Sequence, residues 1–551
     1  MFKKRISVMA TVALLSAALL AGCSSSGGDD KGSSGGGGEA TATDVLANQN
    51  ARAALAQVID KQAMCDVILN NGSFPTNMWT AQGLAFDNGK DYADLLKDAG
   101  YTYDEEAAKE SWAKAKEEVG FDTVSIELLT FDHDSGKKMA EFIQGELGDL
   151  EGLTVNIANL PFEQKLDRET KGEFDISIAG WGADYPDPLT FLATMETGKQ
   201  YAKQVGYDNS TFNSLVQEAM KLPTSEAYAK YAEAEKLMLE EAFIAPLYQK
   251  AAVYLEREYV SGIINNSWGA DFTYTYADVD KPEKVLNLAE ASDIPSMDVS
   301  AATDQVSFQT MNSTMEGLTR IDGEGKVQPG VATEWTSSED GLTWTFKLRD
   351  NSTWSNGDKV TAKDFEYSWK RTLAPETAAE YAYIMYDVAG AEDYNMGKAD
   401  NADAVGVKAL DDNTLEIKLV RPIAYFAELM SFQPFFPQNQ AFVESCGDAY
   451  GTAADKQVYN GPFTLNTWKK EDQYSLTKNP NYWDAANVKL ETINTKIVKD
   501  TGAQVNLYED KQIDKVGLSS DYVDKYKADP NFKRREAAST FMLQINGGNR
   551  K

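Results

Sequence analysis

Two hydrophobic rhythms alternate along residues 44–281. A period of two, which sends successive side chains to opposite faces of a strand, runs through 123–131 and returns at 153–160 and 174–181. A period near 3.6 runs through 136–150, where Met139, Phe142, Ile143 and Leu147 share one face, and through the shorter 162–170. Longer segments at 104–119 and 225–241 set apolar stripes against charged faces and are read as helices. This order of strand, helix and strand predicts an α/β lobe on a largely parallel sheet. From 282 onward strands dominate, at 285–289, 342–348, 414–419 and 474–477, between turn signals such as Asn356-Gly357 and Asp411-Asp412-Asn413. That half reads as mixed α+β.

The first residues follow neither rhythm. Lys3, Lys4 and Arg5 precede an apolar stretch over 6–20, which ends in Leu20-Ala21-Gly22-Cys23. Residues 1–22 read as a signal peptide, too short and wrongly flanked for a spanning helix. The last four residues resemble a bacterial lipobox, which makes Cys23 the lipidated N-terminus of the mature protein. Residues 24–43 are low in complexity and offer no apolar face, so 23–43 is expected to be a flexible tether. About 500 residues then remain, more than one hydrophobic core normally supports, so two or three domains are expected.

Charge and chemistry narrow the function. A formal charge of −32 argues against nucleic acid and against charge-driven binding to anionic lipid. The single histidine, His133, lies in Phe131-Asp132-His133-Asp134-Ser135, a turn before a helix, and is expected to be solvated. The chain holds no zinc motif, no Gly-x-Ser-x-Gly and no phosphate loop. No cofactor or metal site is therefore expected. Carboxylates are abundant, and a two-carboxylate secreted hydrolase acting on cell-wall material stays open on inventory alone. Cys65 and Cys446 lie in different halves and are expected to be unpaired.

The second half carries a resemblance. Met315-Glu316-Gly317-Leu318, Pro329-Gly330-Val331-Ala332, Glu339-Asp340-Gly341-Leu342-Thr343-Trp344, Trp354-Ser355-Asn356-Gly357 and Val360-Thr361-Ala362-Lys363-Asp364-Phe365 occur in order. Asn460-Gly461-Pro462-Phe463 and Asn479-Pro480-Asn481-Tyr482-Trp483 follow. Together they resemble the extracellular solute-binding proteins of family 5, the oligopeptide and dipeptide binders. The first half resembles the later part of the same family, through Ala51-Arg52-Ala53-Ala54-Leu55, Ala179-Gly180-Trp181-Gly182-Ala183-Asp184-Tyr185 and Ile244-Ala245-Pro246-Leu247-Tyr248. The halves therefore stand in swapped order, as in a circular permutation, with crossings between lobes expected near the strand that ends at Asn546 and near 253–262. The new termini are expected to cut the first crossing, which leaves one covalent strand to join the lobes.

The resemblance implies a two-lobed periplasmic-binding-protein clamshell, type II-like, with an additional subdomain. Residues 44–255 would form the large α/β lobe, 256–315 with 461–546 the second lobe, and 316–460 its subdomain. Trp335, Trp344, Trp354 and Trp369 are expected to pack the subdomain rather than touch ligand. A sequence-tolerant peptide site must grip the α-ammonium and the backbone, and a buried ammonium requires a carboxylate. Asp184 lies just beyond the C-terminal end of a predicted strand, where open α/β sheets place ligands, and the resemblance implies the same role for it. It also implies ligand contacts at Trp181, Gly182, Ala183, Tyr381 and Tyr274. Some relatives carry an arginine where Ile178 stands here, so a clamp for a short peptide's carboxylate is missing and longer peptides are favoured. The implied partners are an oligopeptide and the permease and ATPase subunits of an ABC importer, with the protein a monomer on the outer face of the cell membrane. A dipeptide or peptide-pheromone receptor of the same family is the alternative.

Overall fold

The structure, a computed structural model, describes residues 38–548. The signal peptide and Cys23 lie outside the described residues. An eight-stranded sheet dominates the large lobe. Its main path runs Gly38–Ala40, Phe121–Phe131, Ile176–Gly182, Phe532–Ile545, Ile244–Glu256 and Phe74–Pro75. Leu153–Leu160 pairs with Phe121–Phe131, and Lys515–Gly517 with Ile244–Glu256, off this path.

Local chemistry sets the helices that cover it. Helix Glu105–Val119 starts at Asp104, whose side chain accepts from the Ala107 N–H, and stops at Gly120, where φ of +82° suits a residue without Cβ. Its buried Ala108, Trp112 and Ala115 recur at helical spacing. Alternation along the strands separates two cores. Ile176 and Ile178 face one apolar cluster with Ile126, Leu128, Leu543 and the helix residue Ile143. Ala179 and Trp181 face the other, with Leu129 and Met542.

The largely parallel sheet expected from the first half is only partly present. Pairings among Gly38–Ala40, Phe121–Phe131, Leu153–Leu160 and Ile176–Gly182 are parallel, bridged by the predicted helices. Phe532–Ile545 then enters between Ile176–Gly182 and Ile244–Glu256 and runs antiparallel to both. Strand periodicity specifies which face is buried but not which distant strand is the neighbour. The tether also ends earlier than expected. Gly38–Ala40 pairs with Phe121–Val124, and helix Ala42–Leu46 buries Val45 and Leu46. An edge strand draws on backbone hydrogen bonds alone, so a segment without an apolar stripe can form one.

The second lobe is built on a four-stranded sheet in the order Val285–Glu290, Thr492–Ile497, Gln473–Lys478 and Phe463–Lys469. The subdomain carries an antiparallel sheet of Ala332–Ser337, Thr343–Leu348, Thr414–Lys418 and Val407–Asp411. Helix Ala362–Leu373 packs beside it, opened by a Thr361/Asp364 capping box, with Phe365, Trp369 and Leu373 buried at helical spacing. Trp354 and Trp369 are buried in the core, and Trp335 and Trp344 pack against it.

Two long strands pass between the lobes. Ile244–Glu256 and Phe532–Ile545 pair along most of their length. At one end Val253, Leu255 and Phe532 pack with Val505, Tyr508 and Val516 of the second lobe. At the other, Ser539–Ile545 pair with Gly182–Ile176 in the large sheet. The lobe boundary expected at 546 therefore falls inside the strand, between the bulged Glu536 and Thr540. Both crossings are continuous chain, and the expected single-strand hinge is replaced by a paired one. Side chains also span the lobes. Lys499 Nζ lies 2.7 Å from Asp132 across the boundary and 2.9 Å from Glu471 of its own lobe, and Asp134 accepts from the Thr501 N–H at 3.1 Å.

Candidate functional site

The site forms where Ile176–Gly182 leaves the sheet. One edge of this strand is fully paired with Phe532–Ile545. Phe121–Phe131 pairs with the other edge only at Ile176 and Ser177, so from Ile178 to Gly182 no strand covers it. The Tyr201 hydroxyl donates to the Gly180 carbonyl at 3.0 Å. Gly182 is exposed to the space beyond this edge, and a Cβ there would meet nothing closer than Ser539 at 3.8 Å. A partly free strand edge beside a cavity is the geometry that accepts an extended peptide as an added strand.

The chain then turns inward. The Ala183 N–H donates to the Ala538 carbonyl at 2.8 Å, and the Ala183 carbonyl accepts from Gly269 N–H at 2.8 Å. The Asp184 N–H donates to Thr190 Oγ1 at 3.0 Å. These bonds hold the Asp184 side chain at 7% exposure. Among the described residues the one side-chain donor to its carboxylate is the Tyr381 hydroxyl, at a long 3.5 Å, and no lysine or arginine pairs with it. Burial pushes its carboxyl far above the usual carboxylate range, and the Tyr381 bond opposes this only in part.

Aromatic rings wall the space. Trp181 stacks on Tyr381, with ring centres 5.8 Å apart and planes within 13°, and meets Tyr201 edge-on at 5.5 Å. Phe308 meets Tyr381 edge-on at 5.6 Å. The indole Nε1 of Trp181 is buried without a partner. The cavity so enclosed measures about 200 Å³. At its far end a buried ion pair, Lys165 with Glu169 at 2.5 Å, is held by Ser177 Oγ, which donates to Glu169 at 2.7 Å. Lys165 Nζ also sits 4.4 Å from the centre of the Phe131 ring.

Of the expected contacts, Trp181, Gly182, Ala183, Asp184 and Tyr381 line this one cavity. Tyr274 does not; its buried ring stacks on Phe272 at 6.2 Å, away from the others. Ile178 is a core position, paired with Leu543 on the apolar side of the sheet. Phe308, Gln305 and Tyr201 line the site although no sequence signal placed them there. Asp304 could have been read as the N-cap of helix Gln305–Thr314, but not as a neighbour of Asp184. His133 does begin a helix as expected, yet it is half-buried rather than solvated. Its Nδ1 accepts from the Gly136 N–H at 3.2 Å, its ring stacks on Phe131 at 5.1 Å, and burial pushes its pKa down to about 4. Cys65 and Cys446 are both free thiols.

Comparison with known proteins places this geometry in a family. Residues 37–203 and 326–551 match the model of bacterial extracellular solute-binding proteins, family 5 Middle. The chain belongs to that family, and its α/β two-lobed architecture is the one the resemblance implied. It is 37% identical over 269 residues to a dipeptide-binding protein of Lactococcus lactis, covering 48% of this chain and 49% of that one. It is 38% identical over 238 residues to the oligopeptide-binding protein OppA of Bacillus subtilis, covering 43% and 44%. Among solved structures, the peptide-bound OppA of Listeria monocytogenes is 40% identical, with a TM-score of 0.45 over 45% of this chain and 49% of that one. The chain spans about half the length of the curated relatives it matches.

The raised carboxyl of Asp184 sets a pH dependence. The folded protein binds this proton more tightly than the unfolded chain does. The stability so gained is complete below the ordinary aspartate value of ~3.9 and is lost as pH rises through the raised value. Asp184→Asn is therefore expected to make the ligand-free protein more stable than the parent above that raised value, with the difference fading toward acid. Denaturant titrations of both proteins across pH measure this, and identical pH slopes would count against it.

Proposed function

We propose that the protein captures oligopeptides by their free α-ammonium group and delivers them to the permease and ATPase subunits of an ABC importer. The observation that carries this reading is the buried Asp184 carboxylate, which lacks a cationic partner at the open end of a strand edge. An ammonium placed there gains a charge-assisted contact in low dielectric and relieves the cost of the isolated carboxylate. The free edge at Ile178–Gly182 binds peptide backbone without reading side chains, and Trp181 and Tyr381 wall the first residues. Membership of the family supports the same reading. Binding draws the two lobes together about the paired strands, a hinge closure that buries the peptide.

Two further features belong to this reading. Cys23 tethers the mature protein to the outer face of the cell membrane through a lipid; Cys23→Ser is expected to move it from the membrane fraction into the medium, and unchanged retention counts against the anchor. The segment order is a circular permutation. The order in which the family-like segments quoted above occur along the chain supports this. So does the packing of Gly547 against Leu46 and Arg52 at the start of the large lobe. Because both crossings remain continuous, a chain reordered as 282–546 followed by 44–281 is expected to bind the same peptide within about twofold of this protein. A large difference in paired titrations would mean that the order itself sets the hinge.

The anchor is tested by blocking the ammonium. Asp184→Ala is expected to cost roughly 3–5 kcal/mol of peptide binding, about 100- to several thousand-fold in Kd. N-acetylated peptides should lose comparable affinity for the unmodified protein. Calorimetry that finds acetylated and free peptides bound equally would remove Asp184 from the role.

A further inference from the structure

The segment that carries Asp184 is stiff. Pro186 and Pro188 follow it, each with φ fixed by its ring, and the Asp187 N–H donates to the Tyr185 carbonyl at 2.9 Å. Asp184 and Tyr185 are adjacent on this segment, and both side chains are buried. A displacement of the Tyr185 ring therefore moves the carboxylate as well. Rings of the large lobe meet rings of the subdomain on both sides of Asp184. Before it in the chain, Trp181 stacks on Tyr381. After it, Tyr185 stacks on Tyr425, with ring centres 4.8 Å apart and planes within 8°, in the range where offset aromatic pairs attract. Lys199 adds a further crossing, with Nζ 5.4 Å and 5.8 Å from the centres of the Tyr383 and Tyr386 rings.

The subdomain presents its rings on a braced surface. Arg421 Nε and Nη2 donate to the two carboxylate oxygens of Asp387 at 2.7 and 2.6 Å. This pair ties the chain just before Tyr425 to the chain just after the short helix Glu380–Met385, which carries Tyr381 and Tyr383. Tyr425 itself opens the short helix Phe426–Leu429, whose Phe426 and Leu429 are buried. Beside the rings the boundary is not packed. A space of about 840 Å³ opens there, lined by Tyr185 and Lys199 from the large lobe and by Tyr383, Tyr386 and Tyr425 from the subdomain. A contact made by a few rings across an unfilled boundary can part without unfolding either side.

We propose that Tyr185 and Tyr425 form a clasp that shuts the large lobe against the subdomain without help from a ligand, and that a peptide reaches Asp184 only when the clasp parts. Asp184, Trp181 and Tyr381 are all buried while the rings are stacked, so entry follows opening, and the same clasp re-forms over the bound peptide. Tyr425 lies outside the lining of the Asp184 cavity, so the clasp stabilises the shut empty form and the shut filled form alike. It slows entry and exit together and leaves the balance between free and bound protein nearly unchanged. The proposal rests on the peptide-capture reading and adds a gate to it.

The test compares the full chain with Tyr425→Ala, Tyr425→Leu and Tyr425→Phe. Phenylalanine keeps the stacking ring. Leucine keeps apolar bulk without a ring, and so reads the clasp even where the alanine variant disturbs folding. Stopped-flow mixing with one peptide, free at its N-terminus and carrying a fluorophore at its C-terminal end, gives both rate constants. Small-angle scattering gives the radius of gyration of each ligand-free protein. Tyr425→Leu is expected to raise the association and dissociation rate constants by the same factor, about fivefold or more, to leave Kd within about twofold, and to widen the ligand-free protein. Tyr425→Phe should match the unmodified protein in all three. Unchanged rate constants and an unchanged radius in Tyr425→Leu overturn the clasp. So does a loss of affinity of about tenfold or more at an unchanged association rate, which would make Tyr425 a ligand contact. If none of the four proteins binds peptide, the peptide-capture reading fails, and the radii alone decide the clasp, a wider Tyr425→Leu supporting it and an equal one overturning it.

Discussion

The antiparallel pairing of Ile244–Glu256 with Phe532–Ile545 is the contact on which both the fold and the site depend. Each strand begins in one lobe and ends in the other, and their register shifts between Glu536 and Thr540. A bulge bends a strand and sharpens its twist, and here it falls between the part packed on the second lobe and the part paired with Ile176–Gly182. The same three residues, Ala537 to Ser539, line the cavity, and the Ala538 carbonyl accepts from Ala183 next to Asp184. The bend between the lobes and the setting of Asp184 therefore both depend on the irregularity between Glu536 and Thr540 in one strand pair. A change in lobe angle that alters this bend alters the walls of the site with it.

Asp184 places an opposing demand on that frame. A carboxylate held out of water without a cation destabilises the ligand-free protein, and the proton it retains only partly relieves this. A ligand that supplies the cation is bound by the folded form alone and shifts the equilibrium toward it. Aromatic walls rather than charges surround the carboxylate, which keeps the local dielectric low and would strengthen the proposed contact with an ammonium. The ion pair of Lys499 with Asp132 joins the lobes at a half-exposed position, where such a pair contributes ~0–1 kcal/mol. Contacts that weak favour a closed arrangement without preventing it from opening.

Sequence alone determined most of the local structure of this protein and singled out the anchor proposed for its ligand. The strand Leu153–Leu160 and the helix Phe162–Thr170 carry the bounds that their periods predicted, because solvent on one face and core on the other write those periods directly into the chain. Asp184 was legible from its place after a strand and from the family resemblance of its segment. Tertiary structure decided what surrounds it. Tyr381, nearly 200 positions away, gives Asp184 a hydroxyl donor, and Phe532–Ile545 inserts antiparallel into a sheet whose local pattern predicted parallel neighbours. Half-burial of His133, the edge strand at Gly38–Ala40, the placement of Tyr274 outside the cavity and the large space beside Tyr185 and Tyr425 were likewise invisible in the sequence. Periodicity records how a segment divides between core and solvent; which distant segment completes that core, and what space is left between two lobes, follows only from the packing of the whole chain.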